Sequence, residues 1–160
     1  MPKSNEEKFS AARAEAALKK RPHSTCACQT CVHMCMKRPC WGTPADVSKL
    51  LDAGFARRLM NDYWADSKGT DVQIPGPAIA GFEGKRSPWM PVGRCTFLTE
   101  AGRCELHDLG LKPTEGRIAH HSEEIDGLST HTLMARTWDS RAGRAVFKRW
   151  RQLVGLESAP

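Results

Sequence analysis

Residues 26–40 read CACQTCVHMCMKRPC and hold five of the chain's seven cysteines. The spacing, C-x-C-x2-C-x3-C-x4-C, decides how the rest of the chain is read. Seven thiols cannot all pair within one chain. The N-terminal stretch MPKSNEEKFSAARAEAALKKR lacks the apolar core and small-residue cleavage site of a secretory signal. A cytoplasmic location is therefore expected, where disulfides are uncommon and clustered thiols point to metal ligation. Cys28 and Cys31 form a Cys-x2-Cys pair, and a tight knuckle turn presents both sulfurs of such a pair to one ion. Cys35 joins them if a helical turn starts there. His33, Lys37 and Arg38 help keep the thiolates ionised. Cys26 and Cys40 read either as further ligands or as spare thiols.

The remaining two cysteines lie in RCTFLTEAGRCELHD, residues 94–108. Alternation on both sides of a turn at Gly102 predicts a β-hairpin. A tight turn at 100–102 puts Cys95, Phe97, Cys104 and Leu106 on one face, so two thiols arrive together. His107 reads either as a ligand or as a polar turn residue. His120 and His121 are adjacent and do not readily face the same ion. One of them ligates or acts on a substrate, or both belong to a solvated turn. Three thiolates from the first segment with one or two from the hairpin would complete a tetrahedral zinc site or hold an iron–sulfur cluster. Both use thiolates, and spacing does not separate them.

The other segments bound the fold. A chain of 160 residues with 40% hydrophobic residues and five Trp supports one domain with a real core. Residues 1–22 read as a frayed, mostly exposed helix or arm, and 23–160 as the cysteine-cluster domain. Thr43, Pro44 and Asp46 start a helix that Gly54 ends. Phe55, Leu59, Met60 and Tyr63 or Trp64 recur at helical spacing and predict a second helix over 55–66. Residues 67–94 are rich in Gly and Pro and read as a long excursion with short strands at 72–74 and 78–82, held by something nearby such as a metal site. Residues 109–127 lead into a short helix or turn. The end of the chain, TWDSRAGRAVFKRWRQLVGL at residues 137–156, reads as a basic amphipathic helix capped by Asp139 or Ser140. Its apolar face is Ala142, Val146, Trp150, Leu153 and Val154. The expected class is α+β, with several helices and a short hairpin around a cysteine-coordinated metal site.

Two blocks carry a resemblance. CQTCVHMCMKRPCWGTPADVSKLL and GRCTFLTEAGRCELHDLGLKP resemble the YkgJ-type cysteine-cluster family, described as a zinc- or iron-chelating domain. The first matches its cysteine knuckle leading into a Trp-x-x-Pro helix start. The second matches its Gly-x-Cys-x-x-Leu…Gly-x-Cys-x-Leu-His/Tyr hairpin followed by Pro. The resemblance covers about residues 26–121 and implies metal chelation with no assigned reaction. Many members carry adjacent cysteines in the first block and another Cys-Arg after that Pro, where this chain has Gly116–Arg117.

Three function classes follow. In the first, the metal, zinc or iron–sulfur, is mainly structural, with Cys28, Cys31, Cys35, Cys95 and Cys104 as ligands. In the second, an iron–sulfur cluster or a reactive thiol serves redox or enzymatic chemistry, with His120, His121 and Glu105 as available acid–base groups. In the third, the protein is an adaptor. Its net charge of +6 and the Arg141, Arg144, Lys148, Arg149 and Arg151 face would meet nucleic acid or an acidic protein, with Trp138 and Trp150 in contact, although the apolar stripe of that helix argues that its Trp residues are core. There is no P-loop, dinucleotide fingerprint, Gly-x-Ser-x-Gly or His-Glu-x-x-His motif, so whether the protein is an enzyme stays open. No stretch has the length of a membrane span, and no membrane partner is expected.

Overall fold

The computed structural model describes residues 5–24, 34–65, 71–118 and 130–156, with side chains from residue 11 onward. The class is α+β, as expected. Helix α1 spans Asn5–Lys19. Helix α2 spans Pro44–Asp52. Strands β1, Leu59–Ala65, and β2, Asp71–Pro77, follow. Short helices α3, Glu105–Asp108, and α4, Thr114–Ile118, precede α5, Thr130–Trp138, and α6, Arg141–Val154.

Helix α2 starts as its sequence dictates. The Thr43 side chain accepts from Asp46 N–H, Asp46 accepts in return from Thr43 N–H, and Pro44 takes the first helical position. Asp46 also accepts from Thr114 N–H at 2.9 Å and from Arg117 at 3.0 Å, so the same carboxylate ties α2 to α4. Val47, Leu50 and Leu51 are buried from α2.

The helix expected over 55–66 is replaced by one 3-10 turn, Ala56–Arg58, and then β1. Leu59 pairs with Pro77 and Ala65 with Asp71 in an antiparallel hairpin. Leu, Met, Tyr and Trp fit a half-buried strand as well as a helix, and Asn61 and Asp62 are poor helix formers. Pairing with 71–77 then decides the outcome. The strand expected at 72–74 lies within β2, whereas 78–82 forms a turn with a single bridge from Ile79 to Cys95.

The long excursion is held by main-chain bonds. Ala78 N–H donates to Arg58 O, Gly84 N–H to Leu59 O and Asn61 N–H to Lys85 O, at 3.1, 2.7 and 2.9 Å. Gly93 N–H donates to Lys37 O at 2.7 Å. A side chain at Gly93 would strike Ile79, whose Cγ2 lies 2.5 Å from where a Cβ would sit.

The core lies between the hairpin and the helices. Trp138 of α5 and Trp150 of α6 are fully buried, and their indole N–H groups donate to Gly42 O and Ala56 O at 2.8 and 2.9 Å. Ala14 and Leu18 of α1 join the same core as Leu133 and Met134 of α5. Helix α6 is capped by Ser140, as one of the two expected caps. Its inward face differs from expectation: Gly143 and Trp150 are buried, with Val146, Phe147 and Val154 partly so, while Ala142 and Leu153 are exposed. A close approach sets this rotation, because a Cβ on Gly143 would lie 2.4 Å from Trp138 O. Among the described residues no helix is long and apolar enough to cross a membrane.

Candidate metal centre

Four cysteines, Cys35, Cys40, Cys95 and Cys104, are described, and all are free thiols. Cys35 sits in a helical turn over residues 34–37, and Cys40 follows Pro39 just before Trp41. Residues 94–108 are not the regular hairpin expected. Leu98 and Cys104 form one isolated bridge, and the chain then turns into α3 with Cys104 as its N-cap. The tight turn is present, with Gly102 N–H donating to Thr99 O at 3.0 Å. The expected grouping also appears: Cys95, Phe97 and Leu106 are buried in one cluster, with Cys104 packed against it. Collapse onto the core, rather than strand pairing, brings them together.

Arg58 fixes this segment. Its guanidinium donates to both carboxylate oxygens of Glu105, at 2.9 and 2.8 Å, and to Thr96 O at 3.1 Å, and it lies 4.1 Å from the Phe97 ring centroid. The bidentate pair holds Glu105 below the usual carboxylate range. Glu105 is therefore engaged as an ion-pair partner rather than standing free as an acid–base group.

The backbones of the first and second cysteine blocks meet. Cys95 N–H donates to Cys35 O at 2.9 Å, so two cysteines from distant segments are joined through their backbones. Cys40 Sγ lies against α4, 2.9 Å from where a Cβ on Gly116 would sit. Burial raises Cys35, and Cys104 adds to the effect. Burial also raises Cys40 well above the ordinary thiol value, reinforced by Cys95, Glu115, Cys35 and Cys104. Cys95 is pushed up to about 12 by burial, against a hydrogen bond from Phe97 that favours the thiolate, with Cys35 and Cys104 adding to the rise. The four sulfurs thus form one electrostatic neighbourhood. For Cys35, Cys40 and Cys95, burial first and neighbouring thiols second disfavour the thiolate. The donor set, soft and desolvated sulfur, suits zinc or an iron–sulfur cluster, either of which deprotonates its thiols.

Among the described residues no group of three or more His, Cys, Asp or Glu is arranged to hold a metal ion. Cys26, Cys28, Cys31, His120 and His121 lie outside the described residues. Ser24 N–H donates to Arg117 O at 2.7 Å, next to Gly116, and Met34 leads directly into Cys35. His107 is exposed on α3, its N–H donating to Cys104 O at 3.1 Å.

Sequence reading assigned nothing to His131. Its ring stacks on Trp41 with centroids 3.5 Å apart, and its Nδ1 lies 2.7 Å from Glu115 Oε2. Glu115 Oε1 accepts from Trp41 N–H at 3.0 Å, and Trp41 Nε1 donates to the buried Asp62 at 2.9 Å. This polar layer backs the segment that carries Cys40. The contacts given to Trp138 and Trp150 in an adaptor are not available, because both are core residues.

Comparison with protein-family models, with curated proteins and with solved structures found no match to this chain.

Proposed function

We propose that this chain is a cysteine-coordinated metal-binding protein whose zinc or iron–sulfur cluster is mainly structural. The YkgJ-type resemblance implies the same reading. The observation that supports it is the backbone bond between Cys35 and Cys95, with burial raising Cys35, Cys40 and Cys95 and the thiols close enough to act on one another electrostatically. Three of them, Cys35, Cys95 and Cys104, are proposed ligands, with Cys28 and Cys31 supplied by the adjoining segment. Cys40 shares the neighbourhood and takes a ligand position that the sequence left open. Chain connectivity supports the set. Cys31 precedes Cys35 by four residues, so even a fully extended chain keeps it within about 14 Å of the Cys35 Cα.

Such a site would stabilise the fold directly, since a structural metal in a small site contributes on the order of 10 kcal/mol. The test is denaturant unfolding of anaerobically purified protein before and after metal removal by a strong chelator. A large drop in the midpoint, reversed by returning the metal, is expected. An unchanged midpoint after verified stripping would remove the structural role.

A further inference from the structure

The loop between Ser87 and Gly93 is unlike the rest of the surface. Trp89 is 86% exposed, Met90 63% and Val92 64%. Pro88 and Pro91 bracket the first two and stiffen the backbone. The base of the loop is anchored on both sides. Ser87 N–H donates to Asn61 O at 2.8 Å, and Gly93 N–H to Lys37 O at 2.7 Å. A projecting, pre-set apolar tip results. The second anchor places it beside the turn over 34–37, where Met34 and Met36 are also exposed. Charge accompanies the apolar surface: Lys85, Arg86, Arg94 and Lys37 are all exposed, and the sequence has no carboxylate in 84–95 or in 34–39.

We propose that this loop docks on an anionic lipid surface, with Trp89, Met90 and Val92 entering the interface and Lys85, Arg86, Arg94 and Lys37 meeting headgroup phosphates. An apolar tip ringed by cations matches the two attractions such a surface offers, hydrophobic entry and charge. A projecting Trp needs no matching cavity there, and indoles favour the membrane–water boundary. Single-stranded nucleic acid is the lesser fit, because Met and Val offer no face on which bases stack. The absence of a spanning helix does not bear on this, since the contact is with a surface. The proposal is independent of the metal centre.

The test is co-sedimentation of the purified full chain with vesicles of phosphatidylcholine alone and of phosphatidylcholine mixed with phosphatidylglycerol, with Trp fluorescence followed in parallel. Binding to the anionic vesicles is expected, with a blue shift that Trp89→Ala abolishes. Trp89→Ala should leave the fold intact by circular dichroism, because that side chain is almost wholly in solvent. Lys85→Glu and Arg86→Glu should each weaken binding about fivefold. No binding to anionic vesicles would overturn the proposal, as would undiminished binding by Trp89→Ala. Binding to a single-stranded oligonucleotide but not to vesicles would also overturn it, in favour of a nucleic-acid contact.

Discussion

Replacing Cys95 with Ala separates a ligand from a core residue. Cys95 is only 6% exposed and packs with Phe97 and Leu106. If its sulfur does no more than fill space, Cys95→Ala deletes one buried atom and costs about 1 kcal/mol. If its thiolate holds a metal, the substitution also removes much of the metal-linked folding energy, and the loss rises to roughly 3 kcal/mol or more. Leu106→Ala is the control. Leu106 is fully buried in the same cluster, so truncation costs about 2–5 kcal/mol through packing alone and leaves bound metal unchanged. The assay is urea unfolding of anaerobic protein, with metal per chain measured on the same samples. We expect Cys95→Ala to lose both stability and metal, and Leu106→Ala to lose stability only. A cost near 1 kcal/mol with full metal retained in Cys95→Ala would refute the assignment of this thiol.

Three further outcomes follow from the geometry. In metal-free protein Cys95 titrates near 12 against an ordinary 9.0, so the folded chain keeps a proton that the unfolded chain releases. That contribution is complete below pH 9.0 and is lost as pH rises toward about 12. Urea midpoints of the stripped protein should therefore fall across that window, and flat midpoints would contradict the burial of this thiol. Gly143→Ala should destabilise by about 1–3 kcal/mol through overpacking against Trp138 O, although Ala is the better helix former by about 1 kcal/mol; a rise in thermal midpoint would show that α5 and α6 do not approach so closely. Asp46→Ala removes the reciprocal half of the α2 capping box, the acceptor of Thr114 N–H and the partner of Arg117, and a loss of about 2–4 kcal/mol is expected in denaturant unfolding.

Legibility followed the range of the interactions. Helix α2 was readable because Thr43, Pro44 and Asp46 act within one turn. The turn at Gly102 was readable because it is local, although the strands drawn around it gave way to a bridge and α3, and it is collapse onto the core that groups Cys95, Phe97, Cys104 and Leu106. The segment 59–65 was misread because its apolar spacing suits two periods and its partner, β2, lies beyond a further connection. The site divides in the same way. Spacing singled out Cys35, Cys95 and Cys104, but the place of Cys40 depends on α4, far along the chain. His131 gave no local signal, because Trp41 and Glu115 reach it only through the tertiary fold. The charged face of α6 was legible from composition, while its exact rotation depended on one glycine against Trp138.

The most direct test of the central claim is the content of zinc, iron and acid-labile sulfide per chain in anaerobically purified protein. The account predicts zinc without sulfide, or iron with matching sulfide, in a whole-number ratio to the chain, and protection of the cysteines from thiol reagents. A folded chain carrying neither metal would contradict it.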